Sequence, residues 1–174
     1  GGEAIRLTDY AGSVSSFSWS PDASKLAIIA SEPDPNESND SDVRKPIVIT
    51  RLQFKRDGRG YLTGDRHTHL YVLELASEEL TQITSGRWDE SQPSWSPDGR
   101  SIAFVSNRTE DPDGNSNTDI WVVAADNADR GETLLRLTDY EGGDSQPSWS
   151  PDGQWITYVT DDGDPRFSAL SVNQ

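Results

Sequence analysis

Short apolar runs bounded by turn residues recur along the chain in a fixed order. Each run follows a Ser-Pro-Asp turn and is rich in β-branched or aromatic residues, which is typical of a buried strand. The runs are Leu26-Ala27-Ile28-Ile29, Ile102-Ala103-Phe104-Val105 and Trp155-Ile156-Thr157-Tyr158-Val159. After an irregular loop, a further strand follows at 69–73, at 119–123 and, more weakly, at 169–172. Because no stretch shows helical periodicity, the pattern predicts an all-β fold.

A sequence repeat relates these strands to one another. Ser18-Trp19-Ser20-Pro21-Asp22 recurs as Ser94-Trp95-Ser96-Pro97-Asp98-Gly99 and as Ser148-Trp149-Ser150-Pro151-Asp152-Gly153. A Leu-Thr or Ile-Thr pair precedes each copy, and 12 residues separate its Thr from the Ser before Pro. Pro presets φ in such a turn, Asp tolerates the next position and Gly closes it. Four short strands in a repeated unit of about 40–50 residues are typical of β-propeller blades, and three matched turns disfavour a β-sandwich.

The repeats predict one partial β-propeller over 1–174, with about three four-stranded antiparallel blades. We expect an orphan fourth strand at 4–8, a blade at 17–84 with an insertion at 32–66, a blade at 92–138 and an incomplete blade at 146–174. Two interpretations fit these ends. The chain is a piece of a larger propeller, or two chains complete six blades by exchanging their first strands. The Gly-Gly start and the absence of Met favour the piece.

Composition narrows the functional classes. The 30 acidic residues against 15 basic ones give a net charge of −15, which argues against binding nucleic acid through its phosphates. No apolar run approaches the roughly 18 residues that a membrane helix needs. The chain has no Cys, so disulfides, thiolate catalysis and Cys-based zinc sites are excluded, while the cellular compartment stays open.

The W-S-P-D-G unit with its L-T lead-in resembles the propeller repeats of TolB and of the prolyl oligopeptidase family of serine peptidases. A segment at 46–62 ends in Asp57-Gly58-Arg59-Gly60-Tyr61-Leu62 and leads into His67-Thr68-His69-Leu70-Tyr71-Val72. It looks like an insertion of acylaminoacyl peptidases and related dipeptidyl peptidases. There, a pair of strands ending in D-G-x-G-Y precedes a strand carrying H-L-Y/F-V. TolB blades usually lack this insertion.

The resemblance implies the non-catalytic propeller of a two-domain serine peptidase, which screens peptide access to a separate α/β-hydrolase domain. A G-x-S-x-G elbow needs two Gly four residues apart, and Gly60 and Gly64 enclose Leu62 rather than Ser. We therefore expect no catalytic, cofactor-binding or metal residue in this chain, and no cofactor. The implied partners are the hydrolase domain and peptide substrates, and open blade edges also allow a homodimer. The alternative is a TolB-like propeller that acts as a protein–protein interaction scaffold.

Two groups of residues have the spacing of metal ligands. His67 and His69 alternate along a strand and could bind zinc with Asp65, but the chain has no third His, so exposed strand histidines are favoured. The Asp-rich loops at 111–119 and 161–164 resemble calcium loops. In the first of them Gly is fourth rather than sixth and Val is twelfth rather than Glu, so ordinary hairpin loops are favoured.

Charge is uneven along the chain. Five basic residues stand against Asp57 and Asp65 within 51–70: they are Arg51, Lys55, Arg56, Arg59 and Arg66. This basic segment could attract acidic peptide termini or a partner domain, although a solvated hairpin is the favoured interpretation. The loop at 32–42 has no apolar residue, which predicts a mobile loop at a blade end. The three Trp of the repeat are predicted to pack between blades.

Overall fold

A computed structural model describes residues 2–33 and 66–161, together with the backbone of three further strands. In this part of the chain the structure contains thirteen β-strands and no helix, and hence no helix able to cross a membrane. The strands are β1 (Val14–Trp19), β2 (Lys25–Ser31), β3 (Lys55–Arg56), β4 (Gly60–Tyr61), β5 (Thr68–Glu74), β6 (Glu79–Gln82), β7 (Glu90–Trp95), β8 (Ser101–Ser106), β9 (Asp119–Ala124), β10 (Leu135–Arg136), β11 (Gly143–Trp149), β12 (Trp155–Asp161) and β13 (Arg166–Ser171).

The strands form three successive antiparallel sheets. The first sheet has the order β1-β2-β5-β6, the second β7-β8-β9-β10 and the third β11-β12-β13, while β3 and β4 form a separate hairpin. Each main sheet is a simple meander, as in a propeller blade. The predicted all-β antiparallel fold is confirmed. The blade boundaries themselves stay a prediction.

The predicted orphan strand at 4–8 is not formed. Residues 2–10 contain no strand, and Ile5 is exposed. The segment is held at its end by Tyr10, whose hydroxyl lies 2.9 Å from the hydroxyl of Tyr71 in the first sheet. A strand requires a neighbouring strand for its backbone hydrogen bonds. None of the described strands pairs with residues 4–8.

Each Ser-Pro-Asp turn is closed by the same hydrogen bonds. In the second turn, Ser96 Oγ donates to Asp98 Oδ1 at 2.6 Å, and the backbone N–H of Arg100 donates to the same oxygen at 3.0 Å. These bonds lower the pKa of Asp98 because they favour the ionised carboxylate. The following backbone then turns through a left-handed residue, which is Ala23 in the first turn and Gly99 in the second.

Replacing Gly99 by Ala is expected to destabilise the chain by about 1–2 kcal/mol, because its φ of 71° is unfavourable for any residue with a Cβ. The added Cβ would meet only Pro21 Cδ, at 3.8 Å, so the loss is one of conformation and not of space. Urea denaturation measures it. Ala23→Gly is the matched control and should not destabilise, since Ala23 already has a φ of 56°. A Gly99→Ala variant as stable as the parent would contradict this account.

In the described part of the chain, two core clusters lie between sheets, and a third, which includes Leu26, Ile28 and Tyr71, lies on the first sheet alone. One cluster joins Ala27 and Ile29 of β2 to Trp95 of β7 and Phe104 of β8. A second joins Ala103 and Val105 of the second sheet to Ile156 of the third, with Trp149 and Tyr158 packed against it. The same positions of successive repeats therefore form successive interfaces, as stacked blades require.

The three Trp of the repeat differ in burial, so the prediction of a common packing layer is partly wrong. Trp95 is buried at 7% exposure and Trp149 is half-buried, but Trp19 is 51% exposed. Trp95 Nε1 donates to the carbonyl of Ser18, and Trp149 Nε1 donates to the carbonyl of Ser94, both at 3.1 Å. Each buried indole thus docks on the preceding sheet, and no described sheet precedes Trp19.

Candidate functional site at the junctions between sheets

A buried carboxylate lies where the first sheet meets the second. Glu90 begins β7, and its Oε2 accepts hydrogen bonds from Thr84 Oγ1 and from the imidazole Nδ1 of His69, both at 2.9 Å. Its Oε1 pairs with Arg108 Nη2 at 2.6 Å. The hydroxyl of Thr84 in turn accepts the backbone N–H of Leu70 at 2.9 Å. We call this set, His69, Thr84, Glu90 and Arg108, the first junction.

Arg108 is enclosed by aromatic rings as well as paired with Glu90. Its guanidinium carbon lies 4.8 Å from the ring centre of Trp88 and 5.5 Å from that of Trp121, which are cation–π distances. Burial lowers the pKa of Arg108, while the charge of Glu90 opposes that shift. The pair is therefore a desolvated ion pair whose two members depend on each other.

The two histidines predicted as exposed strand residues are not alike. The side chain of His69 is completely buried, whereas His67 precedes β5 and its side chain is 12% exposed. The prediction fails for His69 because the second sheet covers its strand and supplies Glu90 as partner. His69 Nε2 is 3.5 Å from Glu32 Oε1, and His67 Nδ1 is 3.5 Å from Asp89 Oδ1, beyond a good hydrogen bond.

The zinc set considered from the sequence is not assembled by the described residues. The two imidazole rings are 6.4 Å apart, and in residues 2–33 and 66–161 no three His, Asp or Glu side chains are grouped so as to hold a metal ion. Asp65, the third ligand considered, lies outside the described residues. His69 instead belongs to the first junction.

A second junction repeats the first between the second and third sheets. Thr138 Oγ1 accepts the backbone N–H of Ile120 at 2.9 Å, as Thr84 does from Leu70. Asp119 replaces His69, and its Oδ2 pairs with Arg136 Nη2 at 2.8 Å. Asp144 is the second residue of β11 and Glu90 is the first of β7, and each lies six residues after the Thr of its repeat. We call Asp119, Arg136, Thr138 and Asp144 the second junction.

The second junction is not electrically balanced. Asp144 is buried at 1% exposure, and neither of its carboxylate oxygens has a hydrogen-bond partner. Burial raises the pKa of Asp119, and the nearby charge of Asp144 raises it further against the effect of Arg136. Arg136 pairs with Asp119, and the carboxylate of Asp144 has no such partner among the described residues, whereas Glu90 pairs with Arg108 at the first junction.

The sequence contained a signal for both junctions that the motif analysis missed. An acidic residue stands six positions after Thr84 and after Thr138, and a polar residue directly precedes the apolar run of β5 and of β9. Polar residues at fixed offsets in a repeat indicate a shared hydrogen-bonding role.

The Asp-rich loop at 111–119 is held by its own amides. Asn115 Nδ2 donates to the carbonyl of Asp111 at 2.6 Å, and Asn107 Nδ2 donates to Asn115 Oδ1 at 2.9 Å. Asp119, the last residue of this predicted loop, is the first residue of β9 and belongs to the second junction. In the other Asp-rich loop, Asp161 is exposed at the end of β12, and 162–164 lie outside the described residues. That both are ordinary hairpin loops rather than calcium sites stays a prediction.

Most of the predicted basic segment and acidic loop also lie outside the described residues. Within 51–70, the backbone of β3 and β4 forms a two-stranded hairpin, and Arg66 Nε donates to the carbonyl of Glu32 at 3.0 Å. Of 32–42, only Glu32 and Pro33 are described. The Arg66 contact places the end of the basic segment beside the start of the acidic loop.

The junctions can lock sheets together, but the first has no room for a reacting group. Glu90 and His69 are fully buried, and Arg108 is nearly so. A general acid or base must reach the proton that it transfers, either directly or through a water. The first junction therefore acts as a structural ion pair at the contact between two sheets.

Comparison with known proteins agrees with this architecture. No family model matches the chain. The uncharacterized peptidase YuxL of Bacillus subtilis (strain 168) is 34% identical over 128 residues, which are 71% of this chain and 19% of that protein. Dipeptidyl-peptidase 5 of Porphyromonas endodontalis is 27% identical over 188 residues, or 98% of this chain and 26% of that protein. The Tol-Pal system protein TolB of Nitrosococcus oceani is 39% identical over 83 residues, or 48% of this chain and 17% of that protein.

The fold comparison decides the architecture. The structure of a putative TolB from Agrobacterium tumefaciens matches with a TM-score of 0.60 and 24% identity, over 95% of this chain and 48% of that one. The chain is a TolB-like β-propeller. It is related to the propellers of prolyl oligopeptidase family peptidases and of TolB, as its repeats predict. This TolB-like propeller spans about a fifth to a quarter of the two peptidases it matches.

Proposed function

We propose that this chain is the non-catalytic β-propeller portion of a serine peptidase and that it gates peptide access to a separate α/β-hydrolase domain. The observation that carries the proposal is the match to Dipeptidyl-peptidase 5, which extends over 98% of the chain. The higher identity to the peptidase YuxL supports it. The predicted insertion at 32–66, which resembles that of acylaminoacyl and dipeptidyl peptidases, favours the same family.

The geometry supports a non-catalytic role. A serine peptidase needs a Ser hydroxyl within hydrogen-bond reach of an imidazole that a carboxylate orients. His69 does have its carboxylate, Glu90, but in the described part of the chain neither histidine is hydrogen-bonded to a serine. The buried imidazole is enclosed between two sheets, where no peptide could reach it.

A gate of this kind must keep its shape. The first junction joins its two sheets through the buried hydrogen bond between His69 and Glu90. Hydrogen bonds of Thr118 with the backbone of Asp144 join the second sheet to the third, and the apolar clusters between the sheets add close packing. Such contacts hold the sheets at a fixed separation, because bringing them apart would expose apolar surface and unpair Glu90. A rigid ring can then select peptides by their size.

Determining the coding sequence on both sides of this segment tests the proposal directly. A downstream α/β-hydrolase pattern with a G-x-S-x-G elbow, followed by Asp and His, would support it. A stop codon after a few further blades, with no hydrolase pattern on either side, would overturn it.

The gating role needs a functional test of its own. The segment of Dipeptidyl-peptidase 5 that aligns with this chain can be replaced by 1–174, and hydrolysis measured on peptides of increasing length. We expect short peptides to be cleaved and long ones excluded, with a length limit close to that of the unmodified enzyme. Cleavage of long and short peptides at equal rates would show that this propeller does not gate. The enzyme with the aligned segment deleted is the control for loss of the gate.

A protein-interaction scaffold is the second candidate. It is favoured by the 39% identity to a TolB over about half of the chain. On this hypothesis the coding sequence would contain further blades and no hydrolase domain, so the first experiment also separates the two candidates.

A further inference from the structure

We infer that the second junction binds a calcium ion between the carboxylates of Asp119 and Asp144. This inference does not depend on the proposed function. It departs from the expectation, drawn from sequence motifs, that the chain has no metal residue. It rests on a comparison of the second junction with the first, which has the same backbone frame and a complete set of partners.

The backbone frame of the two junctions is the same. In each, a Thr hydroxyl donates to the backbone carbonyl of the buried acid at 2.9 Å, from Thr68 to Glu90 and from Thr118 to Asp144. The residue that directly follows each Thr carries the other polar side chain of the pair, which is His69 or Asp119. The two side chains of each pair therefore start from matching positions on either side of a sheet boundary.

The side chains that fill this frame differ in length. At the first junction His69 Nδ1 reaches Glu90 Oε2 at 2.9 Å, so the two side chains span the boundary. Asp144 is one methylene shorter than Glu90, and Asp119 lacks the ring of His69. Starting from the same positions, the two Asp side chains leave between their carboxylates the space that the imidazole occupies at the first junction. That space is bounded by carboxylate oxygens.

Asp144 is the buried group that indicates a ligand. It is 1% exposed, and neither of its carboxylate oxygens has a hydrogen-bond partner. Asp119 is 2% exposed; its Oδ2 pairs with Arg136, and its Oδ1 has a long contact of 3.4 Å with the hydroxyl of Thr138. A buried carboxylate without a partner is costly, because it has lost its hydration and gained nothing in return. A bound cation would remove that cost.

The repeat does not supply this cation from its own side chains. Arg108, which balances Glu90, lies nine residues after Gly99 of its turn. The residue nine positions after Gly153 in the next repeat is Asp162, which lies outside the described residues. The sequence thus has an acid at the position where the first junction has its Arg. Arg136 pairs with Asp119, which leaves the charge of Asp144 without a counter-ion in the described part of the chain.

The chemistry of the available ligands favours calcium. Every candidate ligand at the second junction is an oxygen, from the two carboxylates and from Thr118 and Thr138, which contact Asp144 and Asp119 respectively. Calcium takes about six to eight oxygen ligands in flexible geometry, with carboxylates bound through one oxygen or both. Magnesium requires a near-ideal octahedron and usually keeps several waters, which suits a buried pair of carboxylates less well.

Calcium titration of the chain, after removal of metals with EDTA, tests the inference. Isothermal titration calorimetry in about 0.15 M NaCl should show one calcium ion bound per chain, since this ionic strength weakens binding to exposed carboxylates. At calcium about a hundredfold above its Kd, we expect the melting temperature to rise by roughly 5–10 °C. Magnesium at the same concentration should raise it less. A chain that releases no heat with calcium and melts at an unchanged temperature would overturn the inference.

Two variants locate the ion. Asp144→Asn should weaken calcium binding at least about tenfold and abolish the rise in melting temperature, because it removes a charged ligand. Without calcium this variant should melt no lower than the parent, since the Asp144 carboxylate has no hydrogen bond to lose. That comparison separates a lost ligand from a damaged fold.

Asp113→Asn is the matched control, because Asp113 belongs to the Asp-rich loop at 111–119 and not to the second junction. It should bind calcium as the parent does. Loss of binding in Asp113→Asn but not in Asp144→Asn would place the ion in the loop and overturn the inference. Calcium binding that survives both substitutions would overturn it as well, because the ion would then be held elsewhere on this acidic chain.

Discussion

Replacing Glu90 by Gln is expected to lower the free energy of unfolding by about 3–5 kcal/mol. The substitution keeps the shape of the side chain and removes its charge, so that Arg108 is left as a buried cation without a counter-ion. The hydrogen bonds from His69 and Thr84 would also have to rearrange. Chemical denaturation followed by Trp fluorescence gives the difference.

The second junction supplies the matched control for this prediction. Asp144 occupies the position of Glu90 in the next repeat and is equally buried, but its oxygens have no hydrogen-bond partner. Asp144→Asn removes a buried charge that no cation balances, so stability should stay the same or rise. Equal losses for Glu90→Gln and Asp144→Asn would contradict the difference that the structure shows between the two junctions.

Replacing Trp95 by Ala is expected to destabilise the chain by about 3–5 kcal/mol, as other large truncations in protein cores do. Trp95 is 7% exposed and packs in the cluster between the first and second sheets. A loss below about 1 kcal/mol on denaturant melting would show that the side chain is not buried.

Two further variants separate packing from hydrogen bonding at this position. Trp95→Phe retains much of the apolar contact and removes the indole N–H that donates to the carbonyl of Ser18. The loss of this hydrogen bond should by itself lower the free energy of unfolding by about 1 kcal/mol. Trp19→Ala, measured at low protein concentration, should change stability by less than about 1 kcal/mol because Trp19 is half exposed. If Trp19→Ala lowered the free energy of unfolding as much as Trp95→Ala, the cost would depend on the position in the sequence repeat and not on burial.

The strands of the three sheets were predictable because each is specified locally. A run such as Ile102-Ala103-Phe104-Val105 is short, β-branched and bounded by turn residues, and it forms the buried strand β8. The Ser-Pro-Asp turns were predictable for the same reason, since their hydrogen bonds join residues two to five positions apart. The repeat then indicated a propeller without any knowledge of long-range contacts.

The errors concern residues whose state depends on a neighbouring sheet. The segment at 4–8 has the sequence of a fourth strand, but a strand forms only beside a partner, and none of the described strands adjoins it. Trp19 has the same local sequence as Trp95 and is exposed, because burial requires a sheet in front of it. His69 was expected at the surface and is enclosed by a strand that lies 21 residues away in sequence.

The sequence by itself determined the all-β character, the repeating turn, the order of strands in each sheet and the relation to the propellers of TolB and of prolyl oligopeptidase family peptidases. These properties follow from local patterns, in which each residue interacts with near neighbours along the chain. Only the tertiary structure decided which polar residues are buried, and therefore that Glu90 is balanced by Arg108 while Asp144 has no partner. Burial and charge balance depend on how whole sheets pack against each other, and no short segment of sequence contains that information.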